Sequence, residues 1–205
     1  LSNARGYWDE KQFEGELPHG RRYTEDELWD NYERFMRKIV PVAEEAGVFI
    51  GMHPDDPPVY ALGGVPRCIL GNFAGYQRAL EIADSPNIGV CLCVGCWLEG
   101  GAVGMGVDVL EAIRIFGRQG KLFKVHFRNV TNPMPEPWRE TMMDEGYMDM
   151  TQVMAALQEV EFDGCIIPDH IPQMSGDGGL EAGLGYSIGY MRAISNADLR
   201  LRNAD

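Results

Sequence analysis

The stretch Ile88-Gly89-Val90-Cys91-Leu92-Cys93 decides how this chain is read. It is a short apolar run with β-branched residues, the signature of a strand buried on both faces of a parallel sheet. It ends on a thiol. Three other runs, found by working outward from it, behave the same way. Val48-Phe49-Ile50-Gly51-Met52 ends at His53, Leu122-Phe123-Lys124-Val125 at His126, and Cys165-Ile166-Ile167-Pro168 at Asp169-His170. In α/β folds the reactive groups gather where parallel strands finish. Four strands delivering His, Cys, His and Asp to one rim would form a divalent-metal site with open positions for substrate. That pattern belongs to an enzyme.

Helical segments separate the four runs. Thr24-Glu25-Asp26-Glu27 is a capping box, and the helix it opens carries Leu28, Tyr32, Phe35, Met36 and Ile39 at helical spacing. Pro41 is expected to kink or restart it, and Gly47 to end it. Further helices are expected near Tyr76–Ala83, Val107–Phe116, Met150–Val160 (with Thr151 as cap) and Tyr186–Ser195. The residues before Tyr23, the Gly-rich segment from Gly100 to Gly106, and the twenty or so residues after Asn129 read as loops. One helix followed by four strand–helix units implies a parallel sheet with right-handed crossovers. A closed TIM (β/α)₈ barrel needs eight units over typically ~250 residues. The expectation is therefore a single α/β barrel domain over 1–205, of which this is the C-terminal half without its N-terminal part. An open sheet is the alternative. Leu1-Ser2-Asn3-Ala4 has the look of a cloning remnant.

A formal charge of −13 over 205 residues argues against nucleic acid as a partner, because phosphate backbones demand clustered Lys and Arg. No apolar run is long enough to cross a bilayer, so no membrane partner is expected. Five cysteines, an odd number, suit a reducing cytoplasm better than a disulfide scaffold.

Several motifs together resemble the mannonate dehydratase family. They are His53-Pro54-Asp55-Asp56-Pro57-Pro58, Val65-Pro66-Arg67, Cys93-Val94-Gly95, Lys124-Val125-His126-Phe127-Arg128-Asn129-Val130, Met148-Asp149-Met150 and Pro168-Asp169-His170. The resemblance implies a TIM barrel that uses Mn²⁺ or Fe²⁺ to dehydrate D-mannonate, a small sugar acid, to 2-keto-3-deoxy-D-gluconate in hexuronate breakdown. It also implies metal ligation by His53, Cys93, His126 and Asp169, proton transfer by His170 with help from Tyr186, and a homo-oligomer.

Each residue also has a plainer reading. A strand-end His is commonly a hydrogen-bonded structural residue, and a buried Cys is commonly inert. Cys96 is the alternate thiol ligand, Cys91 a core residue beneath the site, and Cys68 and Cys165 are packing residues. Asp169 could cap a turn. Arg128, on the same face as His126, could clamp a substrate carboxylate or form a surface ion pair. Asp55 and Asp56 could bind sugar hydroxyls or stabilise their Pro-flanked turn. Arg67, Trp138 and Arg139 could line the pocket or touch a second subunit. A metal-dependent sugar isomerase or epimerase, and a non-catalytic metal- or sugar-binding relative, are the competing functions.

Overall fold

A computed structural model describes residues 7–8, 20–21, 23–58, 69–172 and 174–197. Four strands form one parallel sheet in the order β2 (Ile50–Met52), β3 (Ile88–Cys93), β4 (Leu122–His126) and β7 (Cys165–Ile167). These are the four runs read from the sequence. The inner strand β3 is buried along its whole length, as a two-sided apolar run requires. Helices α2 (Phe73–Ala83), α4 (Val109–Arg118) and α5 (Met150–Glu159) separate successive strands and supply much of the core. Tyr76, Trp97 and Phe116 form its aromatic centre, with the Tyr76 and Trp97 rings 5.5 Å apart. Among the described residues no helix is long and apolar enough to cross a membrane.

Helix α1 (Glu25–Ala46) opens on the expected capping box: Thr24 Oγ1 accepts from the Glu27 N–H, and the Thr24 N–H donates to Glu27. It runs on through Pro41 as one helix, so Pro41 does not restart it. Pro41 is exposed, so water can satisfy the carbonyl that its missing N–H leaves unpaired. The buried stripe is Trp29, Met36 and Ala43, while Phe35 is 56% exposed. Tyr32 and Ile39 pack against the same core, so of the residues the spacing picked out Phe35 is the one that faces solvent.

Six other expectations change. The Gly-rich segment is mostly helical, because α3 (Val94–Met105) starts directly after β3 and turns non-helical only at Gly101. The segment after β4 holds two short antiparallel strands, β5 (Asn129–Val130) and β6 (Trp138–Thr141), and β6 also pairs with β1 (Tyr7–Trp8). Strands of two and four residues are too short to show a period. Helix α5 is capped by Asp149, whose Oδ1 accepts from both the N–H and the hydroxyl of Thr151. Helix α6 (Gly179–Ser195) begins seven residues ahead of the expected Tyr186. Its glycines hid it, and Gly183 serves close packing: a Cβ there would lie 3.0 Å from the Pro172 carbonyl. Cys165 is exposed rather than packed, since β7 is an edge strand. Trp138 is buried against the core rather than lining a pocket or a subunit contact. Arg67 and Cys68 lie outside the described residues.

Candidate metal centre

The strand ends converge. Cys93 and His126 close β3 and β4 and are register partners, so both side chains leave the sheet on the same face. His53 follows the last residue of β2. Asp169 lies two residues beyond β7 and takes φ 57, a left-handed conformation that Asp tolerates better than most residues. That turn lets the adjacent Asp169 and His170 both reach the rim, which a straight strand forbids. One ligand-type atom from each of His53, Cys93, His126 and Asp169 lies within 4.8 Å of the other three.

The local bonding aims these atoms. His53 Nδ1 lies 2.6 Å from the Pro54 carbonyl, so Nδ1 carries the hydrogen and donates it. Nε2 is left with its lone pair, 3.1 Å from His126 Nδ1. The same His126 nitrogen is 3.3 Å from Asp169 Oδ2. Two ring nitrogens at this distance share one hydrogen, so His126 Nδ1 carries it and donates it to His53 Nε2. Burial opposes charge on His126, but Asp169, Cys91 and Cys93 outweigh it and push the ring up to about 11. Burial likewise opposes the Cys93 thiolate, yet Cys96, Arg128, His126 and His53 hold the thiol well below its ordinary range. Cys93 Sγ also caps α3, accepting from the Cys96 N–H at 3.4 Å. A helix N-terminus favours a thiolate in this place. Burial works against the Asp169 carboxylate too, and its bond to His126 still lowers it.

The cluster therefore offers two imidazoles, a thiolate and a carboxylate, with a proton where a cation would sit. Protons and divalent ions compete for such lone pairs. A mixed nitrogen, sulfur and oxygen donor set fits a first-row transition ion better than Mg²⁺ or Ca²⁺, which favour all-oxygen cages.

A second group of ligand-type side chains stands beside the first: Asp56, Cys96 and Glu99, also within 4.8 Å of one another. Arg128 fills it. Its Nη1 donates to Glu99 at 2.6 Å, and its Nη2 to Asp56 at 2.5 Å and Cys96 at 3.3 Å. Nε lies 3.2 Å from Asp169 Oδ2 without hydrogen-bond geometry. Arg128 is 1% exposed, so it is no surface ion pair, and its terminal nitrogens are engaged by protein groups rather than free for a substrate. Gly95 makes room for it: a Cβ at Gly95 would fall 2.5 Å from the Arg128 side chain. Cys96 belongs to this second group, not to the strand-end cluster. Burial and the neighbouring Cys93 push its thiol up.

The remaining candidates separate. His170 is half-exposed, and its Nδ1 lies 2.6 Å from the buried Glu140, whose hydrogen bond raises the ring against the effect of burial. Tyr186 donates to Asp144 at 2.6 Å, and that bond pushes its hydroxyl up to about 12. Asp55 is half-buried and belongs to neither ligand-type group. Sequence reasoning missed Glu99 and Glu140. A lone Glu99 after the apolar run Cys91–Leu98 was a readable signal, since a buried carboxylate demands a partner. Glu140, in a four-residue strand too short to show a period, gave none.

The sequence profile of the D-mannonate dehydratase (UxuA) family matches residues 8–201. The chain belongs to that family. It is 33% identical over 189 residues to mannonate dehydratase 2 of Halalkalibacterium halodurans, covering 91% of this chain and 52% of that protein. The crystal structure of mannonate dehydratase from Streptococcus suis serotype 2 superimposes with a TM-score of 0.76 at 31% identity. That match covers 89% of this chain and 52% of the other. A xylose isomerase domain protein from Alicyclobacillus acidocaldarius matches with a TM-score of 0.61 at 14% identity, over 86% of this chain and 63% of its own, which shows the fold alone. The fold is thus of the TIM-barrel type, and the four parallel strands form an arc of such a barrel. The chain spans about half the length of the relatives it matches.

Proposed function

We propose that this chain carries the metal-binding and proton-transfer side of a Mn²⁺- or Fe²⁺-dependent lyase that dehydrates D-mannonate to 2-keto-3-deoxy-D-gluconate. The observation that carries this reading is the convergence of His53, Cys93, His126 and Asp169 from four separate strand ends, in a chain of the D-mannonate dehydratase family. These four side chains would hold the ion, which when bound supplies Lewis-acid stabilisation of negative charge developing on the substrate.

The chemistry removes a proton from C2 and a hydroxyl from C3. The C–H electrons become the C2=C3 double bond, the C3–O bond breaks, and the departing hydroxyl takes up a proton to leave as water. The enol then becomes the 2-keto acid. His170 is assigned one proton transfer because it is half-exposed at the rim, adjacent to Asp169. Positioned acid–base help of this kind contributes roughly 10²–10⁴-fold. Tyr186, kept protonated by Asp144, is suited to donate a proton rather than accept one. Arg128 holds Asp56 and lies against Asp169, fixing the rim from behind. A reducing compartment suits the unpaired Cys91, Cys93 and Cys96 and the thiolate the site requires.

Elemental analysis of the purified protein, followed by an assay for 2-keto acid from D-mannonate, tests the reading. Bound Mn²⁺ or Fe²⁺ with 2-keto acid formation is expected. A ketose product without 2-keto acid would make the protein an isomerase, and metal binding without turnover would make it a non-catalytic relative.

A further inference from the structure

We propose that Glu140 is a positioning residue for His170: it fixes the imidazole with Nδ1 as hydrogen donor, so that Nε2 is the nitrogen that exchanges a proton with substrate. This deepens the dehydratase reading and rests on it. Glu140 reaches His170 from β6, an element that belongs to none of the four strands of the parallel sheet. Its carboxylate is 1% exposed, and Oε1 lies 2.6 Å from His170 Nδ1. Burying a carboxylate is costly unless it is hydrogen-bonded or paired. Arg128 Nη1 is 3.4 Å from the same oxygen and closer to Glu99, at 2.6 Å, so His170 Nδ1 is the nearer of these two nitrogens to Glu140 Oε1.

Glu140 is held by strand pairing. Its register partner is Val130 on β5, and β6 is flanked on its other edge by β1. His170, by contrast, sits on the irregular segment after β7, and its side chain is 48% exposed. A ring so placed has little packing to choose its rotamer or its tautomer. A carboxylate bonded to one ring nitrogen does both, because it accepts only from Nδ1–H and leaves the far nitrogen free for exchange. Nε2 lies 4.0 Å from Asp169 Oδ1, so the free nitrogen faces the side of the candidate ligand.

Two measurements test the pair. In Glu140→Gln, kcat for 2-keto acid formation should fall on the order of 10–100-fold, the range seen when an orienting partner is lost. Bound metal and KM should stay within about threefold, and Glu140→Asp should restore part of kcat. A merely structural Glu140 would lower metal content and folded protein instead, and an unchanged kcat would overturn the proposal equally. Should the variant not fold, the ¹⁵N-labelled wild type loaded with Zn²⁺ decides. His170 is expected to show a hydrogen-bonded Nδ1–H, and a neutral ring protonated only at Nε2 would overturn the proposal. A wild type without any 2-keto acid formation rejects the dehydratase reading itself, a result distinct from an active wild type matched by an equally active Glu140→Gln.

Discussion

Two neighbouring groups of side chains use nearly the same chemical vocabulary and reach opposite ends. His53, Cys93, His126 and Asp169 gather their donor atoms within 4.8 Å, and so do Asp56, Cys96 and Glu99. Each contains a thiol and at least one carboxyl. The difference is the cation. In the second group Arg128 supplies it covalently, with its terminal nitrogens on all three members. In the first, Arg128 reaches only Asp169, through Nε and without hydrogen-bond geometry, and among the described residues the charge at the centre is a proton on imidazole, which a metal ion can replace. A set of ligand-type residues is a metal site only where the protein has not already brought its own counter-charge. Burial alone does not tell them apart, because Cys93 and Cys96 are both fully buried.

The comparison breaks most readily at Arg128. Arg128→Met should destabilise the fold by roughly 3–5 kcal/mol, because Glu99 is left buried without its partner. Urea unfolding measures this, and a loss below about 1 kcal/mol would mean that the guanidinium is not what balances the second group. Removing a ligand from the first group should instead leave stability closer to wild type and empty the site. His126→Ala is expected to weaken Mn²⁺ binding by at least ~10-fold, the lower bound for losing even an outer partner. Unchanged Mn²⁺ occupancy would reject the ligand assignment.

The proton on His126 gives the comparison a pH signature. With the ring pushed up to about 11, it is protonated at neutral pH in the metal-free protein. Ion uptake must therefore expel a proton, and affinity should rise with pH through the neutral range. Calorimetry in buffers of different ionisation enthalpy reads the protons released, and a count of zero would contradict the shared-proton picture. Gly95→Ala probes the wall between the groups. Its Cβ would collide with Arg128, so a loss of about 1–3 kcal/mol is expected, together with weaker ion binding through the displaced Asp169 contact. Thr24→Ala is the smallest change: losing the α1 cap should cost ~1 kcal/mol and leave bound metal untouched. Altered metal content in that variant would show that stability loss alone disturbs the site.

Much of the arrangement was legible in advance. The four strands were readable because two-sided burial forces unbroken apolar runs, and their ends named His53, Cys93, His126 and Asp169. The capping box of α1 was readable because it is a local bond between residues three apart. What escaped was local structure that long-range packing overrides. Helix α3 hides in glycines, and Gly95 is small because Arg128 passes over it. The β5–β6 hairpin is too short for periodicity, and with it Glu140 stayed invisible. Phe35 fits the helical period yet faces solvent, since spacing fixes that a stripe exists more firmly than where its centre lies.

Sequence by itself determined the order of strands and helices and the residue types presented at the rim, because hydrophobic periodicity and capping act between near neighbours. Only the tertiary structure decided which ligand-type residues share a centre, which of them Arg128 already neutralises, and that Glu140 meets His170. Those contacts join residues about thirty to seventy positions apart, and no local pattern encodes a Coulomb partner at that separation.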